Sequence, residues 1–210
     1  MMKKKILVLG GGYSKERAIS LKSAKAVIKS IKKIYKVKFC DPSNNFFTTV
    51  EKFKPDVIFN ALHGRFGEDG YIQSVLETLN IKFTHSGVIS SMSAMDKEIS
   101  KKIFIKNKIL TPKFLKINND TKTINFKIIK NYLKFPVVIK PINEGSSLDV
   151  YICNNKISLL TSLKKMKSYK EILIEKFIPG REIQVAIMGN KKLGAIELKP
   201  KRKFYDYKAK

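Results

Sequence analysis

Apolar positions in the first ninety residues alternate between two patterns. Short continuous apolar runs, typical of buried strands, are separated by stretches whose apolar residues recur every three or four positions, as in helices. The predicted strands are 6–9, 37–40, 57–62 and 82–84, and the predicted helices are 24–34 and 72–79. Alternating strands and helices predict an α/β region with a parallel sheet, whose ligands gather where the strands end. Loops 10–14 and 63–70 would lie there.

The pattern changes after residue 90. A helical stretch, SSMSAMDKEISKKIFIKN, runs to a break at Thr111-Pro112. Short strands then alternate with helices, and the last strands follow one another directly across Gly189-Asn190, a hairpin signal. The predicted strands are 113–117, 137–140, 150–153, 172–178, 182–188 and 193–198, and the predicted helices are 125–133 and 157–166. This region is predicted to be α+β with an antiparallel sheet.

Composition limits the class of protein. Of the 210 residues 43% are hydrophobic and Gly and Pro are sparse, which is typical of globular chains. No segment approaches the ~20 apolar residues of a membrane span. The opening apolar run stops at Gly10 after four residues, whereas an export signal needs roughly 7 to 15. We therefore predict a cytoplasmic protein without membrane association. Cys40 and Cys153 lie far apart, without metal-ligand spacing, and are predicted core residues.

The formal charge of +26 is at first sight a nucleic-acid signature. Only four of the 43 basic residues are arginines, however, and arginine is the donor favoured for phosphates and guanines. The lysines are spread along the whole chain and form no stripe. We predict no specific nucleic-acid binding, and a basic nucleic-acid binder remains an alternative hypothesis.

The first strand runs into a glycine loop and a helix start, LVLGGGYSKERAISLKS, residues 7–23. A dinucleotide fingerprint would need a third glycine where Lys15 stands. Glu16 lies in the first helical turn instead. Its carboxylate either complements the helix dipole or binds an ammonium group of a ligand.

Two further stretches combine ionisable or polar side chains with glycine-containing loops. ALHGRFGEDGYIQ, residues 61–73, places His63 and other ionisable side chains among three glycines after a strand, which suits a ligand site or a structural histidine. PVVIKPINEGSSLDV, residues 136–150, joins a strand lysine, Lys140, to a Gly-Ser-Ser loop. This combination would hold a phosphate, or it is an ordinary strand and turn.

Taken together, six stretches resemble the D-alanine–D-alanine ligases of the ATP-grasp superfamily, in the family's order and over nearly the whole chain. They are GGGYSKERAISLKS, ALHGRFGEDGYIQ, HSGVISSMSAMDK, FPVVIKPINEGSS, ILIEKFIPGREIQVAI and FYDYKAK. The resemblance implies a Rossmann-like N-terminal domain at 1–90, a first ATP-grasp subdomain at 91–180 and the start of a second at 181–210. It also implies a homodimer, and a reaction in which ATP and Mg²⁺ drive the joining of two D-alanines for peptidoglycan synthesis.

The resemblance also assigns roles to residues. Glu16 would hold the ammonium of the first D-alanine, His63 would line that subsite, and Ser146 would link Glu16 to the closing loop. The residues implied for ATP phosphates are Lys97, Lys140, Lys210 and the loop Glu144, Ser146 and Ser147. Those implied for adenine and ribose are Glu175, Lys176, Ile178 and Glu182. Clamping a polyphosphate with lysines suits phosphoryl transfer, which depends on positioning and charge neutralisation.

The sequence departs from the family's pattern at two points. Asp149 stands where the family has glycine, so strain and repulsion are expected to weaken ATP binding if that position needs a positive φ. The family's metal ligands, oxyanion arginine and loop tyrosine are expected beyond Lys210, so no metal ligand is assigned, and we predict an incomplete ATP-grasp domain that is inactive alone.

Other hypotheses remain open beside the ligase. They are a non-catalytic short homologue that binds nucleotide or amino acid, another ATP-grasp carboxylate–amine ligase, and a dinucleotide oxidoreductase. The second substrate also stays open between D-alanine, D-lactate and D-serine.

Overall fold

The computed structural model describes residues 3–119 and 124–199. By their backbone contacts the residues form two compact units, Met1–Ser100 and Lys101–Lys210. The finer subdomain boundaries predicted at residues 90 and 180 stay predictions. None of the helices in the described ranges is long and apolar enough to cross a bilayer.

The first unit is built on a parallel three-stranded sheet, which confirms the α/β prediction. Strand β1 lies between β2 and β3, and Leu9, at its end, pairs with both Cys40 and Asn60, so the three strands end level with one another. The elements of this unit are β1 (Lys5–Leu9), α1 (Arg17–Ile31), β2 (Lys36–Cys40), α2 (Phe46–Phe53), β3 (Val57–Asn60), α3 (Tyr71–Thr78), α4 (Val88–Met95) and α5 (Lys97–Lys106), the last of which runs into the second unit.

Strand β1 is apolar from Ile6 to Leu9 because helices cover both of its faces. Leu7 and Leu9 pack into one core cluster with α2 and α3, whereas Ile6 and Val8 pack into a second with Ala24 of α1. Alternate side chains of a strand point to opposite faces, so a central strand covered on both sides must be hydrophobic at every position.

Three predictions for this unit need correction. Residues 82–84 form no strand; Phe83 makes only an isolated parallel bridge to Ile58. The single helix predicted after residue 90 is two helices, because Asp96 leaves the helical conformation and accepts a hydrogen bond from the Ile99 N–H at 2.9 Å, as an N-cap does. Helix α2 was missed, although its apolar residues recur at helical spacing in FFTTVEKF.

The second unit contains the predicted antiparallel sheet, in the order β4-β7-β5-β6. Its elements are β4 (Phe114–Asn118), α6 (Phe126–Ile128) with a π-helical turn (Ile129–Leu133), β5 (Val137–Pro141), β6 (Tyr151–Cys153), α7 (Lys156–Lys165), β7 (Glu171–Lys176), β8 (Glu182–Met188) and β9 (Lys191–Leu198). A core cluster that includes Ile139, Leu163 and Ile174 joins the sheet to α7 and the π-helical turn. Asn155 begins α7 with a capping box.

Strands β8 and β9 form the predicted hairpin across Gly189-Asn190, with a register shift at Ala186 and Ile187. Both faces are exposed along β8, including the apolar side chains of Val185 and Ile187. The hairpin is thus a two-stranded sheet separate from the four-stranded one.

Candidate functional site

The glycine loop after β1 is fixed by hydrogen bonds to its backbone amides. Gly11 and Gly12 have φ values of +90° and +76°, which glycine adopts without strain. The Gly11 N–H donates to Ser20 Oγ at 2.8 Å, and the Gly12 N–H donates to Asp41 Oδ1 at 3.0 Å. Both amides are therefore occupied by protein acceptors.

Asp41 follows β2 and ties the glycine loop to α1. Its carboxylate contacts the Arg17 guanidinium at 2.5 Å and accepts the Ser43 hydroxyl at 2.7 Å. Burial on its own would raise the pKa of Asp41, but the hydrogen bonds from Arg17, Gly12 and Ser43 outweigh it and lower the pKa from 3.8 to about 2. The charged Asp41 carboxylate thus fixes the glycine loop to α1, and we refer to it as the Asp41 clamp.

Glu16 lies at the N-terminal boundary of α1 and is only 4% exposed. Its N–H donates to Ser14 Oγ at 3.1 Å, and the Ser14 hydroxyl donates to the His63 carbonyl at 2.6 Å. A Cβ at Gly64, whose φ is +69°, would come within 2.8 Å of Glu16 Oε2. Glycine at position 64 therefore leaves space for the buried Glu16 carboxylate.

His63 follows β3 and lies in the same part of the unit as Glu16. Its Nε2 is 2.9 Å from Ser23 Oγ, and its Nδ1 is 3.7 Å from Glu68 Oε1. The Glu68 carboxylate raises the pKa of His63, against the opposing effect of burial, and the charge of Glu16 adds to this rise. Two of the side chains predicted for one subsite, Glu16 and His63, are thus brought together.

A cavity of about 390 Å³ opens at this edge of the sheet, next to His63. Its walls include an aromatic row in which Phe66 contacts Tyr13 and Tyr71 edge to face, with ring centroids 6.1 and 5.3 Å apart. This lining is mainly apolar, and the buried Glu16 carboxylate is not part of it.

In the second unit Lys140 and Glu175 are bound to each other. Lys140 Nζ on β5 lies 2.5 Å from Glu175 Oε1 on β7. Lys101, on α5, contacts the other oxygen, Oε2, at 2.9 Å. Glu175 is only 8% exposed and Lys101 only 6%. Burial lowers the pKa of Lys101, although its bond to Glu175 opposes this. The family motifs place Lys140 and Glu175 separately, at phosphate and adenine, and Lys101 lies in none of these motifs.

The loop that follows β5 has several residues with left-handed backbones. Ser146, Ser147 and Asp149 have φ values of +51°, +57° and +52°, and Glu144 is half-buried at the loop's start. Asp149 does stand at a positive φ, the condition under which strain was expected. Its carboxylate accepts hydrogen bonds from the hydroxyls of Tyr151 at 3.2 Å and Tyr169 at 2.7 Å.

The other predicted site residues are more dispersed. Lys97 begins α5 one turn before Lys101, and Lys176 ends β7 with an exposed side chain. Ile178 is exposed in the following loop, and Glu182 begins the hairpin at β8. Lys210 lies outside the described residues.

The described ranges contain no group of three or more His, Cys, Asp or Glu side chains arranged to hold a metal ion. Glu197, a carboxylate of the second unit, is engaged by Arg181 through two hydrogen bonds of 3.0 Å. The described residues therefore hold no preformed cluster of side-chain metal ligands, whereas Mg²⁺ is commonly held by only one or two carboxylates together with the phosphates of its substrate.

Three positioning residues were not found from the sequence. Ser23 contacts His63 across forty positions of the chain, and Asp41 contacts the glycine loop across about thirty. Lys101 is one of many lysines in the sequence. Each gains its significance from a partner distant in sequence, so no local pattern indicated it.

Two family models match the chain. The model described as "D-ala D-ala ligase C-terminus" matches residues 104–210, and the one described as "D-ala D-ala ligase N-terminus" matches residues 41–86.

Similar proteins carry the same name. A "D-alanine--D-alanine ligase" of Pelagibacter ubique is 66% identical over 100% of this chain, and one of Wolbachia pipientis wMel is 43% identical over 98%. The alignments cover 69% and 64% of those proteins, so the chain spans about two thirds of their length.

Solved structures agree with this similarity. A D-alanine–D-alanine ligase of Bacillus anthracis is 36% identical, with a TM-score of 0.85 over 99% of this chain and 68% of its own. A structure of the same enzyme complexed with ATP gives a TM-score of 0.84 at 34% identity, over 96% of this chain and 68% of its own.

Proposed function

The chain belongs to the D-alanine–D-alanine ligase family, and we propose from this that the protein takes part in the ATP-dependent, ADP-forming joining of two D-alanine molecules for peptidoglycan synthesis. Because the chain spans about two thirds of its relatives' length, activity is proposed for the protein made from its complete reading frame. The buried Glu16 carboxylate beside His63 is the observation that best supports this proposal.

The proposed reaction has two steps. A carboxylate oxygen of the first D-alanine attacks the γ-phosphorus of ATP, the bond to the bridging β,γ-oxygen breaks, and an acyl phosphate and ADP form. The amine of the second D-alanine then attacks the acyl carbon, phosphate leaves, and the amine loses a proton as the peptide bond forms. Positioning and charge neutralisation are the protein's main contributions to such a phosphoryl transfer.

Glu16 would bind the ammonium of the first D-alanine. A carboxylate that is 4% exposed is partly desolvated, so its attraction for a cation is less screened than at the surface. His63, with a raised pKa, would line this subsite, and Ser23 and Glu68 would orient its ring. Ser146 would link Glu16 to the closing loop.

Lys97, Lys140 and Lys210 would neutralise the phosphates of ATP, and the loop with Glu144, Ser146 and Ser147 would cover them. The loop follows Lys140 and β5 directly, which places its backbone near the lysine proposed for the phosphates. Glu175, Lys176 and Ile178 would contact adenine, and Glu182 the ribose.

Three further features of the proposal rest on family membership. Mg²⁺ would accompany ATP; the described residues contain no cluster of three or more metal-ligating side chains, and no step is assigned to the ion. The protein would act in the cytoplasm as a homodimer. Sedimentation equilibrium tests the oligomeric state, because a monomer at working concentration would contradict the dimer.

The test compares the protein made from the complete reading frame with its Glu16→Gln variant. Incubation with ATP, Mg²⁺ and D-alanine should release phosphate and form D-alanyl-D-alanine, identified by mass spectrometry. Glu16→Gln should lower kcat/KM for D-alanine roughly 10- to 100-fold, as expected for loss of a charge-assisted hydrogen bond. Its affinity for ATP should stay the same.

Glu51→Gln is the matched control, because Glu51 is an exposed carboxylate on α2 of the same unit. ATP binding without phosphate release would favour a non-catalytic binding protein, and phosphate release with other carboxylates only would favour another ATP-grasp ligase. Both results contradict the proposed activity.

A further inference from the structure

Lys101 is a buried cation that has no part in the proposed reaction. Its Nζ donates to Thr111 Oγ1 at 2.7 Å and to the Pro112 carbonyl at 3.0 Å, and it lies 2.9 Å from Glu175 Oε2. An ammonium group has three N–H donors, so these three acceptors occupy all of them. Lys101 is therefore held in place and cannot turn to a ligand without losing three contacts.

Glu175 is shared between this fixed cation and Lys140. Val138 of β5 lies opposite Glu175 on the central strand β7, and Lys140 lies two positions further along the same face. The two lysines use different carboxylate oxygens, Lys101 contacting Oε2 and Lys140 contacting Oε1. One buried carboxylate thus holds two cations at the same time.

The two lysines differ in freedom. The Lys140 side chain is 22% exposed and that of Lys101 only 7%. The hydrogen bond described for Lys140 is the one to Glu175, whereas Lys101 has three acceptors. Lys140 is thus the cation that can exchange its partner, and a nucleotide phosphate is a competing acceptor.

Removing the only partner of a buried carboxylate is strongly unfavourable, because the charge stays desolvated without compensation. We propose that Lys101 is a positioning residue that keeps Glu175 paired, so that Lys140 can transfer from Glu175 to the phosphates of ATP. This inference rests on the proposed function, since it takes ATP as the ligand.

A double-mutant cycle tests the proposal in the protein made from the complete reading frame. Lys101→Met should weaken ATP binding at least tenfold in calorimetry, because Glu175 then retains Lys140. The same substitution in a Glu175→Gln background should change the ATP affinity less than twofold, since no buried charge is left to neutralise. A merely structural role for Lys101 would make the double variant worse than either single one.

Two controls separate the exchange of Lys140 from other effects. Adenosine has no phosphates, so Lys101→Met should leave its affinity unchanged. Lys116→Met removes a partly exposed lysine that pairs with Glu171 at 2.7 Å across β4 and β7, and it should leave ATP affinity unchanged. Equal losses for adenosine and ATP, or no loss for ATP, would overturn the inference while leaving the proposed function intact.

Wild-type protein that binds no ATP would contradict both the proposed function and the inference. If Lys101→Met does not fold, amine acylation of the wild type, read by mass spectrometry, decides the question. ADP or ATP should protect Lys140 at least severalfold, and Lys101 should remain protected with or without nucleotide. Labelling of Lys101 on nucleotide binding, or unchanged labelling of Lys140, would refute the exchange.

Discussion

Replacing Asp41 by asparagine should loosen the glycine loop beside the proposed D-alanine subsite. The amide side chain keeps an oxygen that can accept the Gly12 N–H, which Asp41 accepts at 3.0 Å, but it lacks the charge that pairs with Arg17 at 2.5 Å. The substitution therefore removes mainly the electrostatic part of the clamp.

The depressed pKa of Asp41 gives the expected magnitude. A fall from 3.8 to about 2 stabilises the folded state at neutral pH by about 2 kcal/mol, since each pKa unit is worth ~1.36 kcal/mol. The side chain of Asp41 is 10% exposed but that of Arg17 is 45%, so solvent screening makes this an upper value. Because the folded pKa is lowered, the stabilisation is present above pH 3.8 and is lost as the pH falls through about 2.

The two buried cysteines provide the assay. Cys40 lies in the first unit next to Asp41, and Cys153 lies in the core of the second. Labelling of a buried thiol in the native state requires local opening, so its rate reports the opening free energy. Asp41→Asn should speed Cys40 labelling up to roughly 30-fold at pH 7 and leave Cys153 labelling unchanged. Each rate is divided by the labelling rate of the same thiol in the urea-unfolded chain. In urea unfolding, the difference in unfolding free energy between the wild type and Asp41→Asn should fall at about pH 3 to about half of its value at pH 7.

Two results would refute this reasoning. Equal acceleration of both cysteines would mean that the substitution acts on the whole chain and not on the loop. A stability gap that is the same at pH 7 and at about pH 3 would mean that the loss comes from packing and not from the carboxylate charge.

The remaining predictions concern the two sites. Glu68→Gln should lower the pKa of His63, because the Glu68 carboxylate is the main cause of its raised value. In the wild type, NMR should show His63 titrating above pH 6.5 and His85 below it, because burial lowers the pKa of His85. The raised pKa of His63 stabilises the folded state below pH 6.5, and this stabilisation is lost as the pH rises through the folded pKa. A His63 titration curve that is the same in the wild type and in Glu68→Gln would contradict the pairing of His63 with Glu68. Asp149→Gly should tighten ATP binding severalfold in calorimetry by relieving the φ of +52° and removing a charge, whereas unchanged or weaker binding would refute this.

The fold was largely predictable because its strands carry local signals. Strand β1 is apolar from Ile6 onward and ends in glycines, so its place in a buried parallel sheet follows from the sequence alone. Helix α2 was missed because its eight residues are rich in Phe, Thr and Val, which favour strands, and its stability comes from Phe46 packing into the core. The strand prediction at 82–84 was wrong because its one apolar residue, Phe83, packs against the core but forms only an isolated bridge to Ile58.

The site was predictable only as separate stretches. The family motifs indicated Glu16 and His63, which do lie together, and Lys140 and Glu175, which form an ion pair. The ion pair joins residues 35 positions apart, so a sequence pattern that assigns each residue to a different part of ATP does not contain it. Side-chain pairing across a sheet depends on register, and register depends on the whole core.

The imbalance of charge explains why the buried carboxylates are the most informative residues of this chain. With 43 basic and 17 acidic residues, most lysines have no carboxylate available, so a lysine by itself indicates little. A buried carboxylate, in contrast, must be compensated, because desolvating an unpaired charge is unfavourable. Asp41 pairs with Arg17, and Glu175 pairs with Lys101 and Lys140, although the chain has a large excess of cationic side chains. The few acidic residues in the interior therefore mark the lysines and arginines whose positions matter, and the net charge of the chain does not.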